Sequence, residues 1–375
     1  MHKKLSGLFC FLFLVHCAQA TEFYTEQLSI SNKTPYLYIK IPQKNEEIMA
    51  AGPTDATVID NTFVLLDSWG SRLVYFDKQG NFLNSLALPK HTYFERIVRD
   101  RDNSLFVLGA EEDINSKHMM VLHIQNGMIR EKARLQITEN FINEIIPDDD
   151  GLFMNRKEEY IDRQKLAEAC DDCQEKVLEE MIVHIKDKIN RNCLSCEPKP
   201  TNGIRVNGLL YRLEQKTNQP LIIGNKKMPL LFYPQAKDNY SKIIQVDEDG
   251  TVWVENIIRL DAYLGLTYVW KINQSGKIAA LYRFAADTEE RGTIWPMKNN
   301  IIVSNNGVVY GITANKEQLK FRRLKAFSLK EMRDLSKKLD PILLKKKLNQ
   351  QTMEEKFTRS AHGELTTGIC HRVTS

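Results

Sequence analysis

The stretch Ala56 to Pro89, ATVIDNTFVLLDSWGSRLVYFDKQGNFLNSLALP, decides the fold. Within it Phe63, Leu65, Leu73, Tyr75 and Phe82 belong to short runs whose apolar residues recur at alternate positions, the period of a half-buried strand. Asp60-Asn61, Trp69-Gly70-Ser71 and Asp77-Lys78-Gln79-Gly80 separate the runs, so Gly and Asn fall where positive φ is cheap. The stretch therefore predicts a meander of antiparallel strands.

The same grammar returns downstream. Arg99 to Ser104 leads into LFVLG, Pro147 to Gly151 into LFMN, and Val246 to Gly250 into TVWVE, each an acidic turn followed by an aromatic-containing strand. A second phase runs beside it, since YFDKQGNFLNSL near Tyr75 matches WKINQSGKIAALYRF near Trp270. Corresponding points fall near Val58, Val98, Ile146, Val246 and Trp295. Successive steps are about 40 to 50 residues, with one step of twice that, and this is the period of a four-stranded propeller blade. The doubled step holds either a further blade or an insertion. From Tyr36 to Leu324 the DxDG turn, the aromatic strand and the final Gly turn resemble NHL and TolB-like six-bladed propellers, and the resemblance is one of fold. The fold expected is an all-β propeller of five or six four-stranded blades. An N-terminal strand commonly closes such a ring by pairing with the last blade, and Tyr36 to Pro42 is the candidate.

Three segments depart from this pattern. His2, Lys3 and Lys4, the apolar run Leu8 to Val15 and the small residues Ala18-Gln19-Ala20 have the organisation of a secretory signal peptide, with cleavage expected before Thr21. Glu158 to Asn190 changes period, with Leu166, Cys170, Cys173, Val177, Met181 and Ile185 three or four apart, and predicts a Cys-containing helical insertion over 157–200. Beyond Leu324 the stripe Leu329, Met332, Leu335 and Leu339 predicts a helix capped by Ser328 and Glu331, opening a basic helical extension and tail over 325–375. The propeller itself is expected over 21–324.

Hydrophobic residues make up 42% of the chain, enough for a sizeable core, and a net charge of +4 over 375 residues gives no argument for nucleic acid. Cys170, Cys173, Cys193 and Cys196 form two CxxC pairs at a spacing that suits a four-thiolate zinc site. An exported compartment instead favours disulfides, so the expectation is stapling, with structural zinc as the alternative at the same four residues. A thioredoxin-like role lacks its βαβ context. Covalent c-type haem is excluded at both pairs, since Gln174 and Glu197 stand where attachment needs His. Cys370-His371 are adjacent, whereas catalytic Cys and His come from separate elements.

The acidic turns are read as turn chemistry rather than calcium loops, because the glutamate at a twelfth position is missing. Glu255, Asn256 and Asp261 sit where strand ends could approach a channel metal, the requirement of a propeller hydrolase. Trp69, Trp253, Trp270 and Trp295 recur at comparable positions and are read first as packing between blades, second as a sugar platform. No catalytic constellation or resident cofactor emerges. The function expected is a protein-binding scaffold, periplasmic or secreted, whose partner is another envelope or secreted protein and whose basic C-terminal helices could touch an anionic membrane surface. The alternatives are a metal-dependent hydrolase or lactonase at the channel and a metal or redox accessory protein using the CxxC pairs.

Overall fold

The computed structural model describes residues 23–41, 50–111, 118–136, 141–159, 182–190, 192, 194, 199–214, 220–228, 230, 238–259, 265–284, 297–315 and 317–335. Its strands, in chain order, build six sheets of four. β1 (Tyr24–Ser31) stands apart at the start. Blade one is β2 (Asp55–Ile59), β3 (Thr62–Asp67), β4 (Arg72–Phe76) and β5 (Phe82–Ala87). Blade two is β6 (Thr92–Arg99), β7 (Leu105–Glu111), β8 (His118–Gln125) and β9 (Met128–Gln136). Blade three is β10 (Phe141–Pro147), β11 (Gly151–Glu159), β12 (Ile182–Asn190) and β13 (Lys199–Pro200). Blade four is β14 (Ile204–Val206), β15 (Leu209–Leu213), β16 (Leu221–Ile223) and β17 (Lys226–Met228). Blade five is β18 (Asp238–Val246), β19 (Val252–Arg259), β20 (Gly265–Ile272) and β21 (Ile278–Phe284). Blade six is β22 (Ile301–Val303), β23 (Val309–Ala314) and β24 (Gln318–Leu324), completed by β1.

The chain is thus a six-bladed β-propeller, every blade an antiparallel meander. Its turns follow from the residues placed in them. Asp60 and Asn61 take φ of 46° and 68° between β2 and β3, and Asn207 and Gly208 take 50° and 74° between β14 and β15, the paired positive values of a two-residue hairpin. Where the turn is longer an aspartate organises it: Asp148 Oδ1 accepts from the Asp150 and Gly151 amides, and Asp249 Oδ1 from the Thr251 amide. The acidic clusters do the work of turns, as their composition implies.

Apolar side chains meet between blades. One cluster joins Leu28 and Ile30 of β1 and Phe321 of β24 to Phe63, Leu65 and Val74 of blade one. A second joins Val64 and Leu73 to Ile97 and Leu122. Phe106 and Val121 meet Leu152 and Ile189, a large cluster spans Phe153, Tyr211 and Trp270, and Trp253 meets Ile301 and Val309. Each sheet buries both faces against its neighbours, which is why the strands are apolar on more than one face.

Two sequence expectations are corrected here. The closing strand is β1, paired with β24 from Tyr24↔Leu324 to Ser31↔Gln318, and not Tyr36 to Pro42. Residues 36–41 lie along blade one instead, with Leu37 buried and Lys40 bridging to Ala51. The helical reading of Glu158 to Asn190 fails at both described ends: Glu158 and Glu159 belong to β11, and Ile182–Asn190 is a strand pairing with all of β11, from Gly151↔Asn190 to Glu159↔Ile182. An unpaired β11 edge offers a ladder of backbone hydrogen bonds, and that outweighs a weak helical period. Residues 160–181 lie outside the described set. The doubled step in the repeat holds a whole extra blade, the fourth.

Blade four has strands of three to five residues. β10 packs directly against β18, so this short blade does not come between its neighbours at the axis. After β24, Leu281 and Phe327 exchange backbone hydrogen bonds and the chain enters helix α1, residues 329–335. The predicted capping box forms: the Ser328 amide donates to Glu331 Oε2 at 2.7 Å and the Glu331 amide to Ser328 Oγ at 3.2 Å. Met332 is buried beside Leu329 and Leu335.

Candidate functional site

The first strand of each blade faces the axis, and those of five blades line a central cavity of about 70 Å³. β14 contributes nothing to it, consistent with the outward place of blade four. Inner strands β6, β10 and β18 each carry a bulge, at Glu95, Asn143 and Ile244, which re-aims the residues that follow. Arg96 and Arg99 of β6 and Lys242 of β18 line the cavity, with Asn299 ahead of β22 and Thr57 of β2.

Behind this lining stand two buried carboxylates. Asp55 accepts from the Ala56 amide at 3.0 Å, the Ile97 amide at 3.1 Å and Asn299 Nδ2 at 3.0 Å, with Arg96 Nε 3.5 Å away. It therefore ties blades six, one and two together at the axis. Burial pushes its carboxyl above the ordinary carboxylate value, against the opposing pull of Arg96 and these hydrogen bonds. Lys242 Nζ lies 2.7 Å from Glu255 Oε2, across a β18–β19 register pair. Arg99 has no such partner: its Nε is buried without a hydrogen bond, and burial lowers its pKa while Asp247, Asp100 and Asp60 pull the other way.

These positions bear on the hydrolase alternative. Glu255 is committed to Lys242, and Asn256 Nδ2 donates to Ser241 Oγ at 2.7 Å. Asp261 lies outside the described residues, as do Cys170, Cys173, Cys193, Cys196, Cys370 and His371. Among the described residues no three His, Cys, Asp or Glu side chains come together in a metal-binding group. The cations of the channel went unread in the sequence. The available signal was their place on the strand just before an acidic turn, which in a propeller is the innermost one.

The second notable surface is on blade one. Trp253 and Trp270 are buried between blades, as packing predicts, but Trp69 is 56% exposed on the β3–β4 turn, so the tryptophans do not share one environment. Trp295 is outside the described residues. Tyr36 stacks on Phe82 at 3.8 Å between centroids, Tyr38 on Trp69 at 6.0 Å, and Trp69 meets Tyr93 edge-on at 5.7 Å. Tyr36, Tyr38 and Leu83 are 40%, 41% and 51% exposed. Buried Asp67 holds this row, accepting from the Tyr38 amide at 3.0 Å, the Gly70 amide at 2.9 Å and Arg72 Nε at 2.9 Å. A Cβ on Gly70 would stand 2.3 Å from Asp67 Oδ2, so glycine is what lets the turn close on that carboxylate.

No family model and no curated protein matches the chain. Among solved structures, it is similar to a member of the DUF4221 family from Bacteroides vulgatus at 12% identity, covering 81% of this chain and 98% of the other with a TM-score of 0.37. It is similar to a streptogramin B lyase at 11% identity, over 77% and 98%, with a TM-score of 0.33. It is also similar to the hydrazine synthase of Kuenenia stuttgartiensis at 13% identity, over 72% and 76%, with a TM-score of 0.35. No activity passes to this chain at such similarity.

Proposed function

We propose that this propeller is a protein-binding scaffold of the cell envelope or its exterior, and that its docking face is the aromatic row of blade one. The row carries the reading. Tyr and Trp supply large, rigid contact area with a polar tip and are enriched where proteins meet, whereas a soluble monomer rarely gathers several exposed rings in one place. Asp67 holds the backbone at Tyr38 and at Gly70 beside Trp69, so this part of the surface is formed before any partner arrives and less ordering entropy remains to be lost. The N-terminal signal-like segment supports an exported location, and among the described residues no helix is long and apolar enough to cross a membrane. Residues 160–181 and 336–375, whose sequences carry a cysteine pair and the basic run Lys345 to Lys347, would add to docking.

The test compares proteins recovered with the wild-type chain and with Trp69→Ser/Tyr38→Ser from its native envelope fraction after mild cross-linking. Both side chains are exposed, so the variant should fold with unchanged Tm. A partner cross-linked to the wild type and lost from the variant supports the reading. An identical set of cross-linked proteins, or capture of a carbohydrate instead, overturns it.

A further inference from the structure

The central cavity has a charge pattern that the scaffold reading does not use. Among the described residues, every charged side chain lining it is cationic: Arg96, Arg99 and Lys242. The carboxylates that answer two of them, Asp55 and Glu255, sit in the wall behind and do not line the cavity. Arg99 makes no ion pair or hydrogen bond among the described residues, and its Nε is shielded from solvent. Most of the other described lining residues are aliphatic, Ile243 and Ile302 among them, and three cations gathered on one narrow channel attract an anion more strongly than isolated surface charges do.

We infer that the channel is a binding site for a small oxyanion of phosphate size, held by the Arg99 guanidinium in a cavity that Arg96 and Lys242 also line. A guanidinium presents paired N–H donors at the spacing of two oxygens on one phosphorus, and a lysine adds a point charge. The volume of about 70 Å³ is roughly twice the share of one water, enough for a compact oxyanion and well short of the ~300 Å³ at which pockets for larger organic ligands begin. Burial lowers the Arg99 pKa, and the carboxylates of Asp247, Asp100 and Asp60 oppose that shift without hydrogen-bonding to it. Arg99 lines the cavity, and none of the described residues accepts from its side chain.

The full chain is titrated with inorganic phosphate in exchange for chloride at constant ionic strength, and Tm is followed. A saturable rise in Tm is expected, with binding weakened about tenfold or more in Arg99→Gln, the loss of one charge-assisted contact. A Tm indifferent to the exchange overturns the proposal, as does an Arg99→Gln curve that superimposes on the wild type. A second measurement needs no substitution: wild-type crystals soaked in selenate should show anomalous density beside Arg99, and bound selenate found only elsewhere on the protein overturns the assignment. Glycerol phosphate run in parallel separates the sources of the group. Tighter binding of the ester marks a phosphomonoester as the ligand, and tighter binding of inorganic phosphate marks the free ion; both outcomes support the site.

Discussion

Asp149 shows how a single side chain in an acidic turn joins three blades. It sits on the β10–β11 turn of blade three, accepts from Arg101 Nη1 of blade two at 3.0 Å, and accepts from the Asn207 and Gly208 amides of blade four at 3.1 and 3.2 Å. Burial alone would raise its pKa, but the Gly208 amide, Arg101 and the Asn207 amide outweigh it, and the carboxyl lies below its ordinary value. A depressed pKa in the folded state means that stabilisation is present above the unfolded value, near 3.9, and is lost as pH falls through the folded one. Asp149→Asn should therefore cost about 1 kcal/mol at neutral pH, a modest figure because solvent reaches the pair, and should flatten the decline of stability below about pH 4. Urea midpoints measured across that range check both parts. An unchanged acid limb would show that other carboxylates carry it.

At the scale of elements, the pairing of β6 with β7 aims two of the channel cations, Arg96 and Arg99. Phe94 pairs with Gly109, and the bulge at Glu95 follows immediately. A Cβ on Gly109 would stand 2.3 Å from the Tyr93 carbonyl oxygen and 2.4 Å from Phe94 Cα, both backbone atoms with no flexible side chain to yield. Gly109→Ala must push the strands apart at the bulge, which should cost about 2 to 3 kcal/mol by equilibrium denaturation. A loss under about 0.5 kcal/mol, the ordinary range for an innocuous surface change, would show the bulge to be pliable. Much at this scale is legible in the sequence, because the alternation of Phe63, Leu65, Leu73 and Tyr75 and the acidic turns are local chemistry. Blade four is only one of two readings of the doubled step in the sequence, because its turn is Asn207-Gly208 rather than an acidic loop and its strands are too short to show a period. β12 escaped because Val183, Ile185 and Ile189 fit two periods over so short a run, and only the open edge of β11 chooses between them. The channel was harder to read still. Lys242 and Arg96 are distant in sequence, and nothing local says that their strands line one axis.

For the whole molecule, the ring closes through one strand. β1 pairs with β24 along its length, and Leu28 and Ile30 bury against Phe321 and Phe63, so blade six is complete only when the N-terminal segment docks on it. YLYIKIP and TEFYTEQLSI have equal strand character, so the sequence does not choose the closing segment. What chooses is that Leu28 and Ile30 fill the gap between blades six and one while Tyr36 and Tyr38 remain outside it. A chain beginning after Ser31 leaves the β24 edge open and uncovers part of the cluster between those blades. Such an edge pairs with whatever strand is offered. The truncated protein should show a lower Tm and association that grows with concentration in light scattering. A synthetic peptide spanning Tyr24–Ser31 should restore Tm and suppress association by adding in trans the strand removed in cis, and a scrambled peptide of the same composition should do neither. A truncated chain as stable and monomeric as the full one would mean that the apolar contacts between the other blades suffice without the closing strand.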